Sequence, residues 1–89
     1  MIFSVRYSHE AEKIFARLDR ATQRRIDNRM RDLEADPYDA RISKPLRRDL
    51  KGLRSSRVGG WRIIYTVDEA LRRIYIISMG PRGQVYRDL

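Results

Sequence analysis

The chemistry available to this chain is written mostly in arginine. From Leu50 to Leu89, arginines recur among strand-forming residues in the run LKGLRSSRVGGWRIIYTVDEALRRIYIISMGPRGQVYRDL, and an Arg82/Tyr86 pair follows its last apolar stretch. A guanidinium is a planar, permanently charged fork that matches phosphate oxygens two at a time. The same run has no histidine and only Asp68, Glu69 and Asp88 as acids. Those scattered carboxylates do not make a two-metal nuclease, and His9, the only histidine, lies far off near the N-terminus, so a histidine-pair ribonuclease is excluded. What remains is a surface that faces nucleic acid, with arginine and tyrosine as its working groups.

The charge distribution agrees. The 89 residues hold 20 Lys and Arg against 12 Asp and Glu, a net charge of +8, with a pI near 10.6, which makes a polyanion the default partner. Residues 1–44 carry ten Lys and Arg against eight Asp and Glu, net +2, whereas residues 45–89 carry ten against four, net +6. The anion-binding face is therefore expected in the second half. Only Lys13, Lys44 and Lys51 are lysines, a bias that favours bidentate phosphate contacts and stacking on bases.

The apolar 42% of residues suffices for one core, in a single domain spanning 1–89 that buries about 60% of its unfolded surface. Lacking cysteine, the chain can form no disulfide, thiolate metal site or cysteine nucleophile, and suits a reducing compartment. No apolar run approaches the roughly 18 residues of a membrane span, and no signal pattern opens the sequence. The expected location is the cytoplasm, with no metal or other cofactor.

Other elements must position these side chains. Ile2 to Tyr7 alternates Phe3, Val5 and Tyr7 against Ile2, Ser4 and Arg6, the pattern of a strand with one face on a core. Ser8 is a good N-cap, Glu10 and Glu12 suit a first helical turn, and Ala11, Ile14, Phe15 and Leu18 form one apolar stripe. After Asp19 to Thr22 a second stripe, Ile26, Met30 and Leu33, runs until Asp36-Pro37 ends it. Two antiparallel helices are predicted, and the mixed charges of the second read as a solvated face rather than a site.

Residues 37–51 carry Pro37 and Pro45, lack periodicity and read as a basic connector whose Lys44, Arg47, Arg48 and Lys51 grip phosphates. Three strands follow: Leu53 to Val58, a Gly59-Gly60 turn, Trp61 to Val67, an acidic turn, then Arg73 to Ser78. Trp61, Ile63, Tyr65 and Val67 make one alternating apolar face and read as core rather than as a base-stacking platform, while Tyr75 suits either face. The expected architecture is α+β, in the order β-α-α-β-β-β, with a helical hairpin packed on an antiparallel sheet and the N-terminal strand added to it.

The segments GGWRIIYTV and IYIISMGPRGQVYRDL resemble the signature of the RelE/ParE superfamily of small toxins: a Gly-aromatic-Arg strand, a hydrophobic strand, Gly-X-Arg, and Val-Tyr shortly after. The resemblance spans nearly the whole chain. It implies a toxin of a type II toxin–antitoxin system, restrained by a separately encoded RelB-like antitoxin. The RelE branch implies a ribosome-dependent endoribonuclease acting on mRNA; the alternative, a ParE-like toxin, binds DNA gyrase without cutting RNA. A plain RNA-binding module ranks behind both.

By resemblance, the RelE-like catalytic set falls on Arg57, Arg62, Arg82 and Tyr86, while a further basic position of the family, two residues before Arg57, is Ser55 here. Arg54 joins Lys44, Arg47, Arg48 and Lys51 as an RNA- or ribosome-contacting residue, although a regular strand points it away from Arg57.

Metal-free RNA cleavage requires a 2′-hydroxyl to lose its proton while attacking phosphorus, positive charge on the phosphoryl oxygens, and a proton for the departing 5′-oxygen. Arg57 and Arg62 supply charge in this scheme. Tyr86 serves as base once neighbouring cations lower its ordinary pKa near 10, and Arg82, which hardly releases protons, stabilises the transition state. Such a site should cut free RNA slowly and depend on the ribosome to set the in-line geometry.

Overall fold

The computed structural model describes residues 2–81. Strand β1 (Ser4–Tyr7) leads into α1 (His9–Ala16) and α2 (Arg20–Ala35). Then come β2 (Lys44–Pro45), a short 3-10 turn at Arg48–Leu50, and strands β3 (Arg54–Val58), β4 (Trp61–Asp68) and β5 (Arg73–Pro81). The five strands form one sheet in the order β1-β5-β4-β3-β2. All neighbours are antiparallel except β1, which runs parallel to β5.

The helices cover one face of this sheet. Ile26, Met30 and Leu33 of α2 and Ala11 of α1 join Phe3, Ile63, Tyr65, Ile74, Ile76 and Met79 in a single buried cluster, matching the apolar stripes read from the sequence. Ser8 caps α1 as anticipated: its Oγ accepts from the Ala11 amide at 3.0 Å and donates to the Ile77 carbonyl at 2.7 Å. That carbonyl belongs to a bulge. Tyr65 pairs with Ile76 and the adjacent Ile64 with Ser78, which leaves Ile77 unopposed. The extra residue shifts the alternation of β5, so that Ile76 before it and Met79 after it both reach the core. One serine thus starts the helix and satisfies the backbone of the bulge beneath it.

Two sequence expectations need correction. Residues 37–51 are not a plain connector, because Lys44 and Pro45 pair with Ser55 and Arg54 and extend the sheet by a fifth strand. Pro45 disguised it, since proline has no N–H to donate and is tolerated only at a sheet edge, where β2 lies. The first strand also begins at Ser4 rather than Ile2, while the amides of Ile2 and Phe3 turn instead to the Glu34 carbonyl at the end of α2.

Candidate functional site

The hairpin turn between β3 and β4 fixes which side chains meet. Gly59 has φ +60°, the left-handed value that the first central position of a two-residue hairpin requires and that glycine adopts without cost. The tight turn sets Val58 opposite Trp61 and therefore Arg57 opposite Arg62. Alternation then places Ser56, Val58, Ile63 and Tyr65 toward the helices, and Ser55, Arg57 and Arg62 on the other face. Two guanidinium groups are thereby set side by side, an arrangement whose fork geometry suits an anion with several oxygens.

The pair lines a cleft of about 440 Å³ at the β3 edge. Ser55 is buried in it, and Lys44, its cross-strand partner on β2, joins from the side. Arg29 of α2 and Arg41 of the α2–β2 segment also line the cleft, and among the described residues no carboxylate does. Arg29 is held in place: its Nη1 donates to Ser56 Oγ at 2.8 Å and to the Arg57 carbonyl at 2.7 Å. That contact satisfies a buried serine hydroxyl and a strand-edge carbonyl that β2 is too short to reach. Arg41 clasps the Asp39 carboxylate through Nη2 at 2.7 Å and Nε at 3.1 Å. Its hydrogen bonds hold Asp39 down at about 2, so much of the Arg41 charge is already answered.

A polar network behind the cleft positions β2. The Tyr65 hydroxyl, buried under the sheet, donates to the Pro37 carbonyl at 2.7 Å and shares a short hydrogen bond with Ser43 Oγ. Arg54 Nε donates to the same Ser43 oxygen at 2.8 Å, and its guanidinium lies 5.1 Å from the centre of the Tyr38 ring. Burial raises the Tyr65 phenol. Desolvation, then its hydrogen bond to Glu69, pushes Tyr38 up to about 12. Both phenols therefore remain protonated donors at neutral pH.

Among the sequence candidates, Arg57, Arg62 and Lys44 come together in the cleft. Arg47, Arg48 and Lys51 stay exposed on the segment between β2 and β3 and do not line it. Arg54 faces the other way, engaged with Ser43 and Tyr38. Arg82 and Tyr86 lie outside the described residues. Arg29 was missed because only the fold carries this member of a mixed-charge helix to the β3 edge. Tyr75, left open in the sequence, is 43% exposed on the outer face beside Arg6 and Thr66. Ile63 and Tyr65 are core, as read, while Trp61 and Val67 are half-buried. Among the described residues no group of three His, Cys, Asp or Glu could hold a metal ion, and no helix is long and apolar enough to cross a membrane.

Comparison with known proteins gives this geometry a family. The chain is 31% identical to the toxin RelG of Mycobacterium tuberculosis over 88 residues, 98% of this chain and 99% of that toxin. It is 45% identical to the toxin RelE of the same organism over 47 residues, which span 53% of this chain and 48% of that toxin. Among solved structures, the toxin–antitoxin complex RelBE2 of M. tuberculosis contains a chain with TM-score 0.81 and 28% identity, covering 92% of this chain and all of that one. The archaeal RelE–RelB complex of Pyrococcus horikoshii gives 0.77 and 27%, covering 96% of this chain and all of its counterpart. Residues 5–86 match the family described as ParE toxin of type II toxin–antitoxin system, parDE. The chain belongs to the ParE toxin family, within the RelE/ParE superfamily of type II toxin–antitoxin systems.

Proposed function

We propose that the protein is a ribosome-dependent endoribonuclease that stops translation by cutting mRNA. The observation that carries this reading is the cross-strand pair Arg57 and Arg62, set with Lys44 in a cleft that, among the described residues, no carboxylate lines. The relatives named RelE and RelG support it, and nothing in the cleft favours the gyrase-binding alternative. RelE-type neighbours solved as RelE–RelB complexes support a RelB-like antitoxin as partner. The cytoplasm, where mRNA and ribosomes are found, is its proposed location.

In this reading Arg57 and Arg62 hold the two non-bridging oxygens of the phosphate to be cut. A bond forms from the 2′-oxygen to phosphorus as the bond from phosphorus to the 5′-oxygen breaks. The 2′ proton goes to Tyr86 in its deprotonated form, and the departing 5′-oxygen takes a proton from solvent, which recovers one from Tyr86 afterwards, leaving a 2′,3′-cyclic phosphate and a free 5′-hydroxyl. No oxidant enters this balance. Charge grows on the phosphoryl oxygens as the fifth bond forms, and pre-positioned guanidinium groups are worth most at that moment. Arg82 adds charge, and Arg47, Arg48 and Lys51 meet the ribosomal RNA or message further away, where salt weakens their contribution. Arg54 is assigned to the framework by its contacts with Ser43 and Tyr38.

Primer-extension mapping of mRNA on programmed ribosomes tests the reading. Wild type should cut within the decoding site. Arg57→Gln, Arg62→Gln, Arg82→Ala and Tyr86→Phe should each lose about 10²- to 10³-fold in rate, the loss that follows removal of one transition-state contact. Intact messages from a folded wild-type protein would refute it.

A further inference from the structure

Lys44 came out of the sequence as one of several connector cations gripping phosphates at a distance. The sheet places it elsewhere. Lys44 is the Cα partner of Ser55, and Pro45 is the partner of Arg54. Since paired residues share a face, and Arg54 turns toward Tyr38 and Ser43, Lys44 shares the outer face with Ser55 and Arg57. Its Cβ is about 5 Å from that of Ser55 in such a pair, and Arg57 stands two residues along the same strand, about 7 Å away. Ser55 is buried and small, so its position leaves space that a lysine stem from β2 can cross.

The other cleft residues sharpen the assignment. Arg29 is spent on Ser56 and the Arg57 carbonyl, and Arg41 on Asp39. Among the described residues the side chains of Lys44 and Arg57 make no hydrogen bond or ion pair. The segment that carries Lys44 is tied to the core through Ser43, bonded to both Tyr65 and Arg54, which is how a fold fixes a residue rather than leaving it on a mobile loop. We propose that Lys44 contacts the same phosphate as Arg57 and Arg62, forming a three-cation cradle in which a compact ammonium complements two guanidinium forks. The inference rests on the endoribonuclease reading and adds to it a catalytic residue contributed by the neighbouring strand.

The test is single-turnover cleavage on programmed ribosomes, with rate and half-saturating toxin concentration measured separately. Lys44→Ala should lower the rate at saturation at least tenfold with little change in half-saturation, whereas Lys13→Ala, an equal loss of charge on α1, should do neither. Ser55→Lys placed in the Lys44→Ala background should restore most of the rate, because the two positions face each other across the strands; this rescue also shows that the protein folds. A Lys44→Ala protein of unchanged melting temperature that cuts like wild type, or that changes only half-saturation, overturns the inference and leaves the endoribonuclease reading standing. Failure of Ser55→Lys to restore a folded Lys44→Ala protein also overturns it. A folded wild type that leaves messages intact removes both.

Discussion

The two faces of the β3–β4 ribbon are made of interleaved residues and obey opposite rules. Toward the helices, Val58, Ile63 and Tyr65 are buried in the core, and even the polar Ser56 is satisfied by Arg29. Away from them, one residue further along each strand, Arg57 and Arg62 are set side by side in a cleft. The first face lowers the free energy of the folded chain; the second sets two guanidinium groups opposite each other, where the proposed function puts the phosphate. Stability and function are thus separated by a single step along the backbone, so substitutions one residue apart should fall into different classes.

The strongest test of that separation is Ile63→Ala. A fully buried isoleucine reduced to alanine should cost about 2–5 kcal/mol, seen as a lower denaturant midpoint. Its counterpart across the ribbon, Arg57→Gln, should change stability by no more than about 0.5 kcal/mol, as expected for an exposed side chain, even as cleavage collapses. Equal losses of stability in the two variants would break the comparison.

A middle-sized effect is expected at Tyr65, where the two roles touch. Tyr65→Phe strips the hydroxyl that reaches Pro37 and Ser43, leaving the Pro37 carbonyl without this donor and the buried Ser43 hydroxyl without this acceptor, at a cost of about 1–3 kcal/mol. Amide exchange across residues 37–45 should quicken, and cleavage should fall as β2 loosens. Unchanged exchange there would mean that the network does not position β2.

The smallest effect concerns alkaline pH and belongs to the helix-facing side. Burial, reinforced by Asp27, pushes the Tyr7 phenol up to about 12 from 10.0. Between those values the folded chain keeps a proton that the unfolded chain has lost, so this contribution is full below pH 10 and disappears as pH rises toward 12. Melting temperatures measured from pH 9 to pH 12 should fall less steeply for Tyr7→Phe than for wild type. Parallel curves would remove Tyr7 from the account.

Much of the fold was legible because it rests on local rules. Ser8 as a cap, the stripe of Ile26, Met30 and Leu33, and the Gly59-Gly60 turn each encode their conformation in neighbouring residues. The β2 strand was not, because two residues ending in proline carry no period and exist as a strand only when β3 is beside them. The Ile77 bulge was equally hidden, since it depends on a serine almost seventy residues earlier. In the candidate site, Arg57 and Arg62 were named through the family resemblance of their strands, whereas Arg29 could not be.

By itself, then, the sequence determined the α+β class, the excess of positive charge in the second half, and an arginine chemistry without cysteine or paired histidines, because composition and short-range periodicity are properties of the chain alone. Only the tertiary structure decided which cations share a cleft. It brought Lys44 beside Ser55, swung Arg29 to the β3 edge, turned Arg54 away under Tyr38, and set Tyr75 on the outer face. Those outcomes follow from strand register and from packing between distant segments, and no local pattern of residues carries that information.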